Sequence, residues 1–168
     1  MYLRKSNEKD LREIMKIISQ AQAYFKENEI NQWQNNYPNI VTIISDINKN
    51  ESYVLVEQED IIATSVISFN GEKNYENIYN GQWLTNEKFA VIHRIAVSNN
   101  HKGKGIAAQI LKYVESMCRE KGINSIKIDT HEDNISMQKL LKKSGFKYCG
   151  IILLEDRSER IAFEKLIL

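Results

Sequence analysis

The feature that most constrains this chain is a glycine-containing loop placed between an apolar run and an amphipathic segment. The run FAVIHRIAVS occupies residues 89–98, the loop NNHKGKGIAA occupies 99–108, and apolar residues at helical spacing follow. This order predicts a strand, a loop of backbone amides and a helix start. The N–H groups and dipole of a helix start attract phosphate. Gly103 and Gly105 allow close approach to the backbone, so the loop predicts an anion-binding site.

Two common phosphate loops do not fit this segment. A P-loop needs G-x-x-x-x-G-K followed by Ser or Thr, and neither the spacing nor the hydroxyl is present. The dinucleotide fingerprint G-x-G-x-x-G lacks its last glycine, because Ala108 stands there. Nucleotide hydrolysis and hydride transfer are therefore disfavoured. Lys102 and Lys104 still add positive charge to the loop, as a phosphate ligand requires.

The loop resembles the R/Q-x-x-G-x-G/A signature of the GNAT N-acetyltransferase superfamily, here running from Lys102 to Ala107 with a conservative departure at its first position. The downstream segment SIKIDTHEDNISMQKLLKKSGFKYCGI, from Ser125, resembles the family's fifth strand and following helix. Asn134 stands at the head of that helix, and Gly145 with the following Phe begins the sixth strand. The resemblance is specific over about residues 89–152 and general in the N-terminal half.

The resemblance implies an α/β (α+β) chain with the GNAT-type acyl-CoA N-acyltransferase fold: a mixed, mostly antiparallel sheet of about six or seven strands flanked by helices. A length of 168 residues, 42% of them hydrophobic and 27% charged, fits a single domain over 1–168. Residues 70–87 carry no clear pattern. The predicted elements in the N-terminal half are a strand at 2–5, a helix from Leu11 whose pattern continues to Phe25, a second helical pattern at 41–47 separated from the first by Pro38, and a hairpin of 52–57 and 61–69. Strands are also predicted at 146–154 and 160–167.

The net charge and the composition argue against several classes of function. The chain has 23 basic and 22 acidic side chains, a net charge of +1, which argues against a nucleic-acid partner. The N-terminus does not resemble a secretory signal, and no apolar run approaches the roughly 20 residues of a membrane span. We therefore expect a cytoplasmic protein without a membrane partner. Cys118 and Cys149 lack C-x-x-C spacing and are expected to be reduced, with no metal bound.

The family resemblance implies acetyl-CoA as co-substrate. Strands four and five of the family splay apart, and the pantetheine arm pairs with the backbone of strand four as an added strand. The pyrophosphate then meets the loop amides. Asn134 reaches the pantetheine by its side chain in this scheme, although a helix N-cap is an equally simple interpretation. The residues so implied in cofactor binding are Ile95, Ala96, Val97, Lys102, Gly103, Lys104, Gly105, Ile106, Ala107, Ala108 and Asn134.

The catalytic side chains depart from the family's pattern. Val91 stands where the family often has a glutamate base, and Leu141 stands where a tyrosine protonates the leaving thiolate. His93 is the nearest titratable side chain that can deprotonate an amine, and it is the predicted catalytic residue. In a regular strand Arg94 points to the opposite face. The bulge that the family has in this strand changes which of the two faces the cleft.

Two other side chains are alternatives to His93 as base. Asp129 and His131 alternate onto one face at the end of the predicted fifth strand. A metal site formed by these three residues is not predicted. Four aromatic residues lie in the two poorly patterned segments, where the family builds its variable acceptor pocket, and predict an aromatic-walled acceptor site: Trp33, Tyr37, Phe69 and Trp83.

Together these features predict an N-acetyltransferase that moves an acetyl group from acetyl-CoA directly to a primary amine of a small molecule or peptide. An amine with a low pKa is the easier acceptor, because more of it is neutral at pH 7. The alternative is a catalytically degenerate fold that binds an acyl-CoA as a sensor, since the glutamate and tyrosine positions are occupied by Val91 and Leu141. A homodimer is compatible with either function.

Overall fold

The computed structural model describes residues 1–167 and contains a seven-stranded sheet and four α-helices. The strands are β1 (Tyr2–Lys5), β2 (Ser52–Glu57), β3 (Asp60–Ser68), β4 (Ala90–Val97), β5 (Ser125–Thr130), β6 (Lys147–Leu153) and β7 (Glu159–Leu166). The helices are α1 (Leu11–Glu27), α2 (Ile40–Asn48), α3 (Ile106–Lys121) and α4 (Ile135–Lys143). The predicted strands and helices are all present within a few residues of their expected bounds.

The strand order across the sheet is β1-β2-β3-β4-β5-β7-β6. β4 and β5 pair in parallel, with Ala90 opposite Ile126 and Val91 opposite Lys127. The pairs β1–β2, β2–β3, β5–β7 and β6–β7 are antiparallel. The predicted fold class, a mixed and mostly antiparallel sheet flanked by helices, is therefore confirmed.

Contacts within the chain group into two compact units. The first unit is formed by Met1–Ile67 and Arg94–Ile110, and the second by Ser68–His93 and the chain from Leu111 onward. Consecutive residues His93 and Arg94 of β4 thus belong to different units. The expectation of one domain over residues 1–168 stays a prediction.

The core of the first unit packs α1 and α2 against β2 and β4. Its buried members include Ile14 and Ile18 of α1, Ile43 of α2, Val54 of β2 and Ala96 of β4. Their spacing on α1 is the helical periodicity that the sequence displays.

The two N-terminal helices are not separated in the way that Pro38 suggested. α1 already ends at Glu27, far upstream of the proline, so Pro38 does not terminate it. The intervening chain has several non-glycine residues with positive φ, among them Trp33 at 57°. α2 begins where the Asn39 side chain caps it by accepting a hydrogen bond from the Thr42 N–H at 3.1 Å.

The unpatterned segment after β3 is ordered by contacts within the second unit. It contains a short 3-10 helix, Lys73–Tyr75, and Tyr79 forms two 2.8 Å backbone hydrogen bonds with Ile151 of β6. Gly150 makes this approach possible, because a Cβ there would lie 2.6 Å from the Tyr79 carbonyl oxygen. Propensity patterns miss such a segment because its partners are distant in sequence. Among the described residues, no helix combines the length and apolarity needed to cross a membrane.

Candidate active site

The glycine loop in the first unit has the geometry of an anion cradle. Gly103 and Gly105 have φ of +76° and +75°, a region that side chains rarely adopt. A Cβ built at either glycine meets nothing within 4 Å, so the space beside the backbone is open. The first intrahelical bond of α3 joins the Gln109 N–H to the Gly105 carbonyl at 3.0 Å. The N–H groups of residues 105–108 therefore precede the helix's own bonding, an arrangement that favours an anion.

Side chains of α1 fix the start of this loop. The Gln20 amide oxygen accepts a hydrogen bond from the Asn99 N–H at 2.8 Å. The Lys102 ammonium lies 4.6 Å from the centre of the Tyr24 ring, a cation–π contact. Lys104 is exposed. Sequence analysis did not identify Gln20 or Tyr24 because each lies some 80 residues upstream of the loop, within an ordinary amphipathic helix.

The strand that carries the predicted pantetheine contacts is not regular. Ala96 is 4% exposed and belongs to the core, while Ile95 and Val97 are partly buried. Arg94, directly before them, has a φ of +52°. The condition for strict alternation of His93 and Arg94, a regular strand, is therefore not met at Arg94. A left-handed residue inside a strand redirects the backbone groups that follow it, as the residue of a β-bulge does.

His93, the predicted catalytic residue, is paired with a carboxylate in the second unit. Its Nε2 lies 2.9 Å from Oε2 of Glu72, and both side chains are 23% exposed. The other Glu72 oxygen accepts a hydrogen bond from the Asn74 N–H at 3.1 Å, where it caps the 3-10 helix Lys73–Tyr75. Both carboxylate oxygens are thus engaged, and Glu72 holds the imidazole from a fixed position. An ionised carboxylate can only accept, so Nε2 is the donor in this pair.

The alternative base, Asp129, has a different partner. Its Oδ1 accepts a hydrogen bond of 2.5 Å from the hydroxyl of Tyr75, which is 3% exposed. Burial raises the pKa of Tyr75 well above its usual value, and Asp129 raises it further, so the phenol stays protonated and remains a donor. His131 lies beyond the end of β5, and its Nδ1 accepts from the Asp133 N–H at 3.1 Å. Asp129 and His131 therefore hold separate contacts.

Three positions singled out from the family pattern are buried. Asn134 is 5% exposed and its Oδ1 accepts a hydrogen bond from the Met137 N–H at 3.1 Å, which confirms the N-cap interpretation. Its contact with pantetheine stays a prediction. Val91 and Leu141 are each 0% exposed, so both are core residues.

Three of the four aromatic residues predicted to line an acceptor pocket are packed against neighbours. Trp33 meets Phe25 edge-on at 5.5 Å in the first unit, and in the second unit Lys121 lies 5.1 Å from the Phe69 ring. Tyr37 is 43% exposed. In the second unit, Trp83 stacks near Tyr75 at 5.2 Å and donates its indole N–H to the Tyr75 carbonyl at 2.9 Å.

A buried lysine fixes the segment that contains Trp83. The Lys127 ammonium lies 4.3 Å from the Trp83 ring centre and 4.1 Å from that of Phe89, and it donates to the Thr85 carbonyl at 3.3 Å. Burial lowers the pKa of Lys127, an effect that nearby Glu164 opposes.

Glu164 of β7 holds the same segment, and with Lys127 it forms the buried anchor of the Trp83 segment. It is fully buried and accepts hydrogen bonds of 2.6 Å from the Leu84 N–H and from the Ser125 hydroxyl. It also stands opposite Lys127 in the β5–β7 register. These residues escaped sequence analysis, because a Lys and a Glu in alternating strands usually mark a solvent-exposed face. Across residues 1–167, no group of three or more His, Cys, Asp or Glu side chains is arranged to hold a metal ion.

The sequence and the fold were compared with those of known proteins, and both comparisons find acetyltransferases. The model of the Acetyltransferase (GNAT) family matches residues 12–146. A crystal structure of a GNAT-family acetyltransferase from Streptococcus agalactiae superposes with a TM-score of 0.87 at 30% identity, covering 98% of this chain and 94% of that one.

Two curated relatives match over a shorter stretch. N-acetyltransferase 8B of Homo sapiens is 31% identical over 64 residues, which are 38% of this chain and 28% of the relative. Streptothricin acetyltransferase of Escherichia coli is also 31% identical over 64 residues, 38% of this chain and 37% of the relative. The match thus spans 28% of the first relative's length and 37% of the second's. Since the family model covers most of the chain, the protein belongs to the GNAT acetyltransferase family.

Proposed function

We propose that this protein transfers an acetyl group from acetyl-CoA directly to a primary amine of a small molecule or peptide. The observation that carries the proposal is the loop of Gly103 and Gly105, whose positive φ angles and open flank lead into the first turn of α3. A pyrophosphate is the ligand that such a cradle suits. Membership of the GNAT family supports acetyl-CoA as its source.

On the acetyl-donor side the protein acts through its backbone. The N–H groups of residues 103–108 bind the pyrophosphate, and the main chain of residues 95–97 pairs with the pantetheine arm. The N–H of Ile95 polarises the thioester carbonyl oxygen by hydrogen bonding, which favours attack at the carbonyl carbon. Lys102 and Lys104 contribute positive charge to the loop.

On the acceptor side the protein acts through side chains. His93 takes a proton from the attacking amine at Nδ1, while the Glu72 carboxylate orients the ring through Nε2 and stabilises the imidazolium that forms. The C–N bond forms as the C–S bond breaks, and the electron pair leaves with sulfur. A free thiol has a pKa near ~8.5, so the thiolate departs near neutral pH without an acid at position 141.

The need for a neutral amine as nucleophile also favours one class of acceptor. A lysine-type amine with a pKa near ~10.4 is neutral about once in a few thousand molecules at pH 7, whereas an α-amino group near ~7.8 is neutral in roughly one of seven. A single imidazole base therefore serves the second kind better. We propose an acceptor whose amine has a pKa in this lower range.

One observation favours a second candidate, an acyl-CoA sensor without turnover. Val91 and Leu141 are both 0% exposed, so neither of the two positions that carry catalytic side chains in many relatives offers an acid or base here. The sensor uses the same loop and the same backbone contacts. It differs in leaving the thioester intact.

A thiol-release assay separates the two candidates. The wild-type protein is incubated with acetyl-CoA and, one at a time, with amino acids, peptides with free α-amino groups, polyamines and simple amines. We expect sustained release of CoA thiol that depends on one class of amine, with the acetylated amine found by mass spectrometry. Tight binding of acetyl-CoA with no amine-dependent release across the panel would favour the sensor.

The protein's own thiols do not disturb this assay. Burial raises the pKa of Cys118 to about 11 and raises that of Cys149, and both are buried. A cytoplasmic location, the absence of a nucleic-acid or membrane partner and a homodimer stay predictions.

A further inference from the structure

The backbone at Arg94 is an exception among the described residues. Nine non-glycine residues within 1–167 have positive φ, and Arg94 at +52° is the one that lies inside a strand. The other eight lie outside the helices and strands, and four of them are asparagines. A branched or long side chain adopts this conformation in a strand when the surroundings hold it there.

A fork of hydrogen bonds within the first unit holds the Arg94 side chain. Nε and Nη2 of Arg94 donate to the two carboxylate oxygens of Asp46 in α2 at 2.9 and 2.6 Å. Nη1 donates to the hydroxyl of Tyr37 at 2.8 Å. Asp46 is 4% exposed, and the Arg94 side chain is 17% exposed. Bidentate pairing at this burial fixes the orientation of the guanidinium as well as its distance.

Tyr37 is itself fixed by α1. The Gln22 side-chain amide donates to the Tyr37 and Pro38 carbonyl oxygens at 2.9 and 3.1 Å. Burial acts to lower the pKa of Arg94, but Tyr37 and Asp46 outweigh it and the pKa is raised, so the guanidinium stays charged. Two helices and the segment before α2 thus converge on one backbone position of β4.

The residue after this position is Ile95. Because the torsions of Arg94 set the direction of the next peptide group, they also set the direction of the Ile95 N–H. We propose that Arg94 is a positioning residue: its fork to Asp46 and Tyr37 holds the left-handed backbone that aims the Ile95 N–H at the thioester carbonyl oxygen. This inference rests on the proposed function.

The same unit contains a matched pair that serves as control. Arg4 of β1 donates two hydrogen bonds to Asp10, at 2.7 and 2.9 Å, and Asp10 is 7% exposed. The chemistry of the two forks is the same. Arg4 lacks a positive φ, and its strand carries no predicted ligand contact.

The test compares Arg94→Lys with Arg4→Lys. Lysine keeps the positive charge but loses the fork. For Arg94→Lys we expect kcat on the best amine of the panel to fall by about 10- to 100-fold, because small misplacements of a catalytic group cost this much. We expect KM and the calorimetric Kd for acetyl-CoA to stay within about twofold, since the loop amides remain. Arg4→Lys should leave kcat within about twofold of wild type.

Tyr37→Phe gives a second variant that removes one hydroxyl from a partly exposed ring. We expect it to fold and to lower kcat by about three- to tenfold without changing the Kd for acetyl-CoA. An unchanged kcat in Tyr37→Phe and Arg94→Lys would overturn the inference while leaving the proposed function intact. An equal loss of kcat in Arg4→Lys would also overturn it, because the effect would then be general destabilisation. Absence of amine-dependent turnover in the wild type would instead contradict the proposed function.

Discussion

The glycine loop and the His93 region, which comprises His93 with Glu72 and Asp129 with Tyr75, differ in the groups that they present. The loop presents backbone groups, and the His93 region presents side chains. Residues 103–108 present backbone N–H groups at a helix start, and their geometry depends on two glycines close together in the sequence. The His93 region depends on side chains: Glu72 lies 21 residues before His93, and Tyr75 lies 54 residues before Asp129. We expect the glycine loop to tolerate changes of neighbouring side chains and to lose its ligand when a glycine gains a Cβ. We expect the His93 region to lose its function when one side chain loses its functional group.

The largest expected effect concerns the His93 region. We expect His93→Ala to lower kcat/KM for the best acceptor by a factor on the order of 10² below about pH 8, because a general base commonly contributes this much. Above that pH an α-amino acceptor with a pKa near ~7.8 is already largely neutral, so the loss should shrink. The measurement is the pH profile of thiol release for both proteins.

His131→Ala is the matched control, since it removes an imidazole of the same unit whose Nδ1 bonds a local N–H. Its profile should follow the wild type. If His93→Ala kept the full wild-type profile while the His131 or Asp129 variant lost activity, the base would be one of the latter two.

The glycine loop is tested at Gly105. We expect Gly105→Val to weaken acetyl-CoA binding by about 10- to 100-fold, equivalent to the ~1.5–3 kcal/mol of one charge-assisted hydrogen bond. Valine strains the φ of +75° and fills the open space beside the loop. Isothermal titration calorimetry gives the Kd.

Gly122→Val carries the same strain at a position with φ of +65° and open surroundings, immediately after α3. It should cost stability and leave the Kd unchanged. Equal weakening in both variants would mean that the loop is not a specific phosphate site.

A smaller effect, on stability, is expected at the buried anchor of the Trp83 segment. Lys127→Met keeps the length of the side chain but leaves Glu164 without its cation, which we expect to cost about 1–3 kcal/mol in the free energy of unfolding at pH 7. Because burial lowers the pKa of Lys127, the native state binds fewer protons than the unfolded state between that lowered pKa and the usual 10.5. Wild-type stability relative to the variant should therefore rise with pH through this window, as urea titrations would show. A fall would mean that the native state raises the pKa of Lys127, and it would contradict burial as the dominant influence on that pKa.

The smallest effect on activity is expected at Leu141. Restoring the family tyrosine with Leu141→Tyr should change kcat by less than about threefold, because the thiolate departs without an acid. The residue is 0% exposed, so the added ring and hydroxyl should destabilise the fold by about 1–3 kcal/mol. A tenfold gain in kcat at low pH would show that protonation of the leaving group limits turnover.

The sequence predicts the backbone features better than the side-chain contacts. The loop, α3 and the N-cap at Asn134 are encoded within short segments, where glycine spacing, helical periodicity and an Asn before an apolar stripe leave a local signal. β4 was predicted as a strand, and an irregularity in it was expected only from the family resemblance. The hydrogen bonds from Arg94 to Asp46 in α2 left no local signal, because the two residues are far apart in the sequence.

The anchors of the His93 region left no local signal. Glu72 lies in a segment without periodicity, and its role comes from a 3-10 turn that places both oxygens. Lys127 and Glu164 alternate in their strands like solvent-exposed charges, and only the packing of the Trp83 segment over them makes them buried. Contacts of this kind depend on tertiary structure and are not readable from propensity.

The most direct test of the two regions measures acetyl-CoA affinity and amine-dependent turnover on the same samples of wild type, Gly105→Val and His93→Ala. The backbone site predicts that Gly105→Val loses affinity. The side-chain site predicts that His93→Ala keeps a Kd within about twofold of wild type and loses turnover by a factor on the order of 10² at pH 7. If His93→Ala lost affinity and turnover together, or kept both, the assignment of acceptor chemistry to His93 and its Glu72 partner would be contradicted.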